Sequence, residues 1–220
     1  MVLRKMGILQ SLARASLVLT LVIGLGACIK SPPVQRLSTP TKVALAIVHD
    51  TGSALSPVPA ELEAGVHQAL EMRGLVISPV PPAQFEQGFI TKRASKDRLQ
   101  VIAALGGDAP ITALVETRAE FYSHINGRYR WTVYVKINLS KTGDTSSASV
   151  SSFDIPVLLS FEHQREDEAL ADAAGPISRK LGQELDDFLA GLDLKTVATQ
   201  PGAPPAEARE LESIYFVMLD

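Results

Sequence analysis

The chain has 220 residues, of which 46% are hydrophobic, with a formal net charge of −3 and one cysteine. This hydrophobic content excludes a largely disordered chain and is sufficient for one well-packed domain. The absence of a basic excess argues against nucleic acid as a partner. A single cysteine excludes an internal disulfide.

Residues 1–27 have the order of segments found in a secretory signal peptide. Arg4, Lys5 and Arg14 precede or open an apolar run from Ala15 to Leu25, and small residues follow. As a helix this run would span about 16 Å, roughly half of the hydrocarbon core of a bilayer. We therefore expect a signal peptide and not a permanent transmembrane helix.

The string Leu25-Gly26-Ala27-Cys28 resembles the lipobox of bacterial lipoproteins. The resemblance implies cleavage between Ala27 and Cys28 and attachment of lipid, including palmitate, to Cys28. In such lipoproteins an Asp after the cysteine favours the inner membrane. Ile29 in that position implies the outer membrane, with the domain facing the periplasm. Two alternatives stay open: an ordinary secreted signal cut near this point, and a buried structural cysteine.

Removal of residues 1–27 takes away three basic side chains, which leaves 18 basic and 24 acidic ones and a net charge of −6. The mature chain then begins with residues 28–42, whose three prolines and small polar residues predict an extended, semi-rigid tether. This tether is interpreted either as a spacer that lets the domain reach a partner or as a solvated leader without a further role.

The main domain is predicted over residues 43–192. Val43–Val48 is a continuous apolar run, typical of a strand that is covered on both faces. A loop from Asp50 to Pro59 leads to a helix over Pro59–Arg73, which Gly74 ends. Leu75–Ser78 is a second strand, and together these elements make a β-α-β unit.

The middle of the chain predicts a helix followed by a long hairpin. Residues 83–94 form a loop or short helix, and Ser95 caps a helix from Lys96 to Leu105. Strands over residues 111–125 and 129–139 are joined at Asn126-Gly127, a strong turn dipeptide. In the second strand Trp131, Val133, Val135, Ile137 and Leu139 alternate with polar residues and share one face.

The rest of the chain predicts a Ser/Thr-rich loop over residues 141–152, a strand over 153–161 and a long helix over 166–192. Pro156 indicates an edge strand or a bulge, and Gly175-Pro176 predicts a kink or break in the helix. Residues 193–205 form a Pro/Gly linker. Within the last segment, residues 206–220, the apolar run 214–219 is expected to be a strand, either in its own sheet or on a partner's sheet edge.

These elements define an α/β (α+β) fold with a single mixed sheet in the order β-α-β-α-β-β-β-α. Behind a lipobox, with Ala103–Ala109 before the hairpin and Thr142-Gly143 after it, this order is similar to that of CsgG, LpoB and the amino-terminal domain of TolB, which are bacterial envelope proteins. The resemblance covers roughly residues 43–192. Pro156 and the tail after the last helix depart from that pattern. The absence of a long amphipathic insertion argues against a pore.

The histidines do not form a recognisable catalytic or metal-binding pattern. His49 and Asp50 are adjacent on a strand, so their side chains point to opposite faces and do not serve one site. His67 is expected to pair with glutamates on its own helix. His124 and His163 lack the spacing of zinc ligands. We expect no cofactor, no metal and no enzymatic activity.

Aromatic residues on the hairpin are the strongest candidate for contact with a partner, because such residues are enriched at interfaces. They are also typical of cross-strand core packing, so both interpretations stay open. The set comprises Phe121, Tyr122, Tyr129, Trp131 and Tyr134. The sequence thus favours a non-enzymatic outer-membrane lipoprotein that binds another envelope protein in assembly, secretion or cell-wall synthesis. The alternative is a ligand-binding accessory lipoprotein of an envelope transport system. The oligomeric state is left open.

Overall fold

A six-stranded mixed sheet with four helices packed on it forms the domain, and this confirms the fold class expected from the sequence. The computed structural model describes residues 34–160, 162, 165–192 and 196–199. The strands are β1 (Val34–Leu37), β2 (Thr41–Asp50), β3 (Leu55–Ser56), β4 (Leu75–Pro79), β5 (Ile111–Ile125), β6 (Arg128–Lys141), β7 (Asp144–Ser160) and β8 (Thr196–Thr199). The helices are α1 (Ala60–Glu71), α2 (Glu86–Ile90), α3 (Ser95–Leu105) and α4 (Glu166–Gly191), with a 3₁₀ turn at Pro82–Gln84.

Strand β2 is the point at which the chain switches from one side of the sheet to the other. The order is β3-β2-β5-β6-β7, with β4 also paired to β2. Both β4 and β5 run parallel to β2, one on each side, and the remaining pairs are antiparallel. The chain therefore leaves β2, returns on one side as β4 and then crosses to the other side as β5. In open α/β sheets such a switch point is where ligand clefts tend to lie.

Two hydrophobic cores lie on the two faces of this sheet. The first face packs against α1 and α4, and its core includes Val43 and Leu45 of β2. The second face packs against α2 and α3, and its core includes Ala44, Ala46 and Val48. Because β2 is covered on both faces, every residue from Val43 to Ala46 is buried. This explains why its sequence is apolar throughout and does not alternate.

The predicted tether and linker are shorter than the sequence suggested, because part of each is a strand. Val34–Leu37 pairs antiparallel with Thr196–Thr199 as a separate two-stranded sheet, and β2 already begins at Thr41. Leu37 is 6% exposed and belongs to the first-face core. Its backbone N–H also donates a hydrogen bond of 2.9 Å to the carbonyl of Arg73. Burial of this one apolar side chain holds β1 against the domain.

The prediction of a loop over residues 141–152 is wrong, because most of this segment belongs to strand β7. A tight turn at Thr142-Gly143 joins β6 to β7, and Gly143 has a φ of +87°, which glycine adopts readily. Residues 149–160 then pair with β6 through to Arg128. Pro156 lies in this edge strand, as predicted.

Two details of the helices also differ from the prediction. Ala94, not Ser95, is the N-cap residue of α3, and no side chain caps this helix. The last helix is continuous through Pro176 and is not split. Its 26 residues are held by a buried stripe that packs on α1 and the sheet. This packing outweighs the one backbone hydrogen bond that proline removes.

Candidate functional site

The distal part of the β5–β6 hairpin, with β7 paired beside it, extends beyond the end of β2. The last residue of β5 that pairs with β2 is Thr117, opposite His49, whereas β5 continues to Ile125. Asn126 and Gly127 both have positive φ, 52° and 73°, as a two-residue hairpin turn requires. We call residues 119–131, together with residues 157–160 of β7 alongside them, the hairpin end.

On the first face of the sheet, four rings lie in a row along the hairpin end. The centroid of Phe121 lies 5.7 Å from that of Trp131 and 5.9 Å from that of Tyr129. The ring of His124 lies 4.9 Å from that of Tyr129. Tyr129 and Trp131 also pack against the first-face core. The row therefore links the core to the exposed ring of Phe121.

On the second face, the hairpin end combines exposed apolar side chains with two arginines. A bulge between Phe121 and Ser123 leaves Tyr122 without an opposite residue on β6. The Cζ atom of Arg130 lies 5.2 Å from the centroid of the Tyr122 ring. Ile125 is opposite Arg128, and Leu158 is opposite Arg130.

The exposure of these side chains is large for apolar groups: 51% for Phe121, 71% for Tyr122, 46% for Ile125 and 54% for Leu158. Because they lie on both faces, the hairpin end does not follow the usual division into one apolar and one polar face. Aromatic residues and arginine are the side chains enriched at the centres of protein interfaces. The hairpin end thus has the composition of a protein-binding surface.

The structure separates the five aromatic residues proposed from the sequence. Phe121, Tyr129 and Trp131 lie in contact on the first face, and Tyr122 stacks with Arg130. Tyr134 lines a different feature, a cleft on the second face. The sequence analysis did not single out Ile125, Leu158 or the arginines. Two arginines alternating with aromatic residues in Arg128-Tyr129-Arg130-Trp131 were the available signal.

The cleft has a volume of about 410 Å³ and lies where β2 ends beside β5. Its inner wall is a polar network around Arg98 of α3. The guanidinium of Arg98 donates to Glu116 and lies 3.4 Å from a carboxylate oxygen of Asp50. Asn138 donates a hydrogen bond of 2.9 Å to the other oxygen of Glu116.

The outer wall of the cleft carries Tyr134, Lys136, Ser152 and Asp154 on neighbouring strands. Arg98 and Asn138 occupy both oxygens of Glu116, whereas the buried Oδ1 of Asn138 has no hydrogen-bond partner. On the outer wall Tyr134, Ser152 and Asp154 are exposed, so their polar groups can meet a solute.

The described histidines lie at strand ends and on a helix surface, as expected from the sequence. His49 faces the start of α4, with Nδ1 3.2 Å from the carbonyl oxygen of Thr117 and Nε2 3.0 Å from Oε1 of Glu166. Asp50 faces Arg98 on the other side of the sheet. The two neighbours thus serve separate contacts, as predicted. His67 lies 3.9 Å from Glu63 on the same helix, also as predicted.

Other predicted features lie outside the described residues. These are Ala27, Cys28, His163 and the apolar run 214–219. Among the residues that the structure describes, no group of three metal-ligating side chains occurs. No helix in the described ranges has the length and apolar character needed to cross a membrane.

No protein family matches the sequence, and no curated protein matches it either. Several solved bacterial lipoproteins align with it at low similarity. Rare lipoprotein B from Shewanella oneidensis aligns over 70% of this chain and 99% of its own, with 9% identity and a TM-score of 0.34. The minor lipoprotein from Acinetobacter baumannii aligns over 72% of this chain and 97% of its own, with 8% identity and a TM-score of 0.38. A lipoprotein from Neisseria meningitidis aligns over 70% of this chain and 100% of its own, with 13% identity and a TM-score of 0.32.

At this similarity the alignments do not assign the chain to a family or a function. The resemblance to CsgG, LpoB and TolB therefore stays an expectation from the sequence.

Proposed function

We propose that this chain is a lipoprotein of the bacterial envelope whose domain binds another envelope protein through the hairpin end. The lipobox-like string ending at Cys28 supports the anchor, and Ile29 supports the outer membrane facing the periplasm. The exposed apolar side chains on both faces of the hairpin end carry the proposal of a binding surface. The proposal includes no catalytic activity, and substrate turnover by the purified protein would contradict that part.

The energetic argument for the hairpin end rests on apolar surface left in water. Burial of a Phe or Tyr side chain removes about 150–250 Å² of surface from solvent. Because Phe121 is already about half buried, a partner that covers the rest of such a side chain gains about 1–3 kcal/mol at about 25 cal/mol per Å², before the costs of association. Such side chains gain nothing from exposure in the free domain. A partner that covers them recovers this energy.

The position of the hairpin end favours contact with a partner away from the point where the chain enters the domain. Leu37 lies beside Arg73, next to the start of β2 and β4. From the row of Val43 and Ile111, β5 runs on for 15 residues to Ile125, which is about 50 Å at the rise of a strand. The point of chain entry and the hairpin end thus lie at opposite ends of the sheet.

The anchor is tested by metabolic labelling with a palmitate analogue. We expect label in the wild-type protein and none in Cys28→Ala, because the thiol is the proposed acceptor. Label that persists in Cys28→Ala would refute the anchor.

The binding surface is tested by photocrosslinking in cells. A photoreactive amino acid replaces Ile125 at the hairpin end, and a matched control replaces Val76, which is comparably exposed on β4. We expect one reproducible envelope protein to crosslink from position 125 and not from position 76. Equal or absent crosslinking from the two positions would contradict the proposal.

The cleft favours a second candidate function, a ligand-binding accessory lipoprotein. Its volume of about 410 Å³ and its position at the end of β2 suit a small molecule. Thermal unfolding with envelope lipids and small metabolites separates the two functions. Stabilisation that Tyr134→Ala removes would favour the cleft, whereas crosslinking from position 125 favours the hairpin end.

A further inference from the structure

We infer that the partner of the hairpin end presents carboxylate groups beside apolar side chains, and that Arg128 and Arg130 bind those carboxylates. This inference rests on the proposed function and specifies the chemistry of the partner at the same surface. Its contact surface is the second face of the hairpin end, formed by Tyr122, Ile125, Leu158 and the two arginines.

The positive charges of these two arginines are not neutralised by ion pairs within the described domain. Both side chains are exposed. Among the described residues, no carboxylate forms an ion pair with either one, and the nearby Glu120 pairs with Arg118 at 2.6 Å. The mature chain as a whole would be acidic, with a net charge of −6. Two unpaired arginines at one end thus form a local positive site suited to a negatively charged partner surface.

Contact with Tyr122 already positions the side chain of Arg130 to bind a carboxylate. Its guanidinium lies over the ring of Tyr122, at 5.2 Å from the ring centroid. A guanidinium that lies over an aromatic ring can still present N–H groups to the two oxygens of a carboxylate. Because contact with the ring already restricts the side chain, less rotational entropy is lost on binding. The bulge at Tyr122 brings the ring beside Arg130.

The unpaired edge of β5 indicates that the occupant is a protein and not the hydrocarbon of a bilayer. Beyond Thr117, the outer edge of β5 has no partner strand in the described part of the sheet. Unpaired backbone N–H and C=O groups on a strand edge are not tolerated in hydrocarbon. A protein surface can satisfy them with its own polar groups. The hairpin end therefore suits an acidic protein surface better than insertion into a membrane.

The test uses the crosslinked partner from cells, purified with the full-length lipidated protein in detergent. Binding is followed by the fluorescence of Trp131, the only tryptophan in the chain, which lies in the hairpin end. The variants are Arg128→Glu with Arg130→Glu, Arg130→Lys, and Tyr122→Ala. The matched control is Arg93→Glu with Lys96→Glu, which reverses two exposed charges near the start of α3.

We expect the double reversal at Arg128 and Arg130 to raise Kd at least about tenfold, and the control to change it less than about twofold. Affinity of the wild-type protein should fall as the salt concentration rises from about 50 to about 200 mM, because salt screens contacts between exposed charges. Arg130→Lys should weaken binding although the charge is kept, because lysine cannot form the two-pronged contact. Replacing an Asp or Glu of the partner beside the crosslinked site by Lys should restore binding to the double-reversal variant.

If Tyr122→Ala abolishes binding while charge reversal and salt have no effect, the surface binds a partner but the inference about carboxylates is overturned. If no partner crosslinks from position 125, the proposed function fails and this inference fails with it. The isolated protein is also mixed with vesicles of anionic phospholipid. A blue shift of Trp131 fluorescence that requires Arg128 and Arg130 would identify a membrane surface as the occupant and overturn the inference of a protein.

Discussion

Gly106 shows how closely α3 approaches the sheet at the residue scale. A Cβ atom at this position would lie 2.3 Å from the Cβ of Ala44 and 3.6 Å from its Cα. The atoms of Ala44 belong to a central strand and cannot rotate away. We expect Gly106→Ala to lower the free energy of unfolding by about 1–3 kcal/mol because of overpacking. Urea unfolding followed by circular dichroism measures this change.

A second glycine supplies the matched control. Gly175 lies inside α4, and a Cβ there would come no closer than 3.6 Å to another residue, Arg179. Gly175→Ala should therefore stabilise the domain by about 0.5–1 kcal/mol through helix propensity. The double variant Gly106→Ala with Ala44→Gly should recover part of the loss. Additive effects of these two substitutions would show that the clash is not the cause.

Glu184 ties α4 to the edge strand β7 and should make stability depend on pH. Burial raises the pKa of this carboxyl, but hydrogen bonds from Lys180 and Ser151 and the charge of Lys180 together outweigh it, so the pKa is lowered overall. The Lys180 ammonium lies 2.8 Å from Oε1 of Glu184. A lowered pKa in the folded state means that the stabilisation is full above the ordinary pKa of about 4.3 and is lost as the pH falls through the lower, folded-state value.

We therefore expect Glu184→Gln to reduce the free energy of unfolding by a few tenths to about 1 kcal/mol at pH 7, since the pair is partly solvated. The difference from wild type should shrink as the pH falls below about 4. Asp187→Asn, which removes an exposed carboxyl from the same helix, is the control. A deficit in Glu184→Gln that stays constant from pH 7 to pH 3 would argue against this assignment.

At the scale of elements, the strand β1 tests where the folded domain begins. Leu37 is buried among first-face core residues, in a segment that its prolines and polar residues suggested was a tether. Leu37→Ala should cost about 2–5 kcal/mol, as expected for a buried leucine. The neighbouring Arg36 is exposed, so Arg36→Ala should change stability by less than about 0.5 kcal/mol. Equal, small effects of both substitutions in thermal unfolding would support a tether through residue 42.

The elements predicted correctly from the sequence are those in which the local pattern and the tertiary environment agree. The apolar run Val43–Val48 marks a strand between two helix layers, and Asn126-Gly127 has the positive φ values that its turn needs. The serine-rich start of β7 was mistaken for a loop because β-propensity depends on pairing with a neighbouring strand. Strand β1 was missed because its partner β8 lies about 160 residues away in the sequence.

The candidate site was only partly predictable for a similar reason. The sequence identified aromatic residues on the hairpin, yet alternation alone cannot locate a bulge. The irregularity between Phe121 and Ser123 changes which residues oppose each other beyond it, and it places Tyr122 beside Arg130. Tyr134, only three residues from Trp131, faces the cleft on the opposite side of the sheet. The alternation along β6 already predicted that Trp131 and Tyr134 lie on opposite faces. The position of Tyr122 beside Arg130 depends on the bulge and was not visible in the sequence.

At the scale of the whole molecule, chain entry and hairpin end lie at opposite ends of the sheet. Val34, the first described residue, lies six positions after Cys28, and a chain of this length spans at most about 20 Å. Under the proposed function, a short connection places the domain near the bilayer, whereas the hairpin accounts for the reach towards a partner. The proposed anchor and the proposed binding surface thus share no residue.

This separation predicts that the anchor can be removed without loss of folding or of partner binding in solution. We expect Cys28→Ala to leave the membrane fraction, because each buried methylene of an acyl chain contributes about 0.8 kcal/mol to membrane attachment. The midpoint of thermal unfolding should change by less than about 2 °C, and Kd for the crosslinked partner should stay within about twofold. The same substitution should abolish the crosslink from position 125 in cells if the partner is reached only from the membrane. A Cys28→Ala protein that stays in the membrane fraction would contradict the proposed anchor. One that unfolds at a clearly lower temperature would show that position 28 has a structural role within the domain.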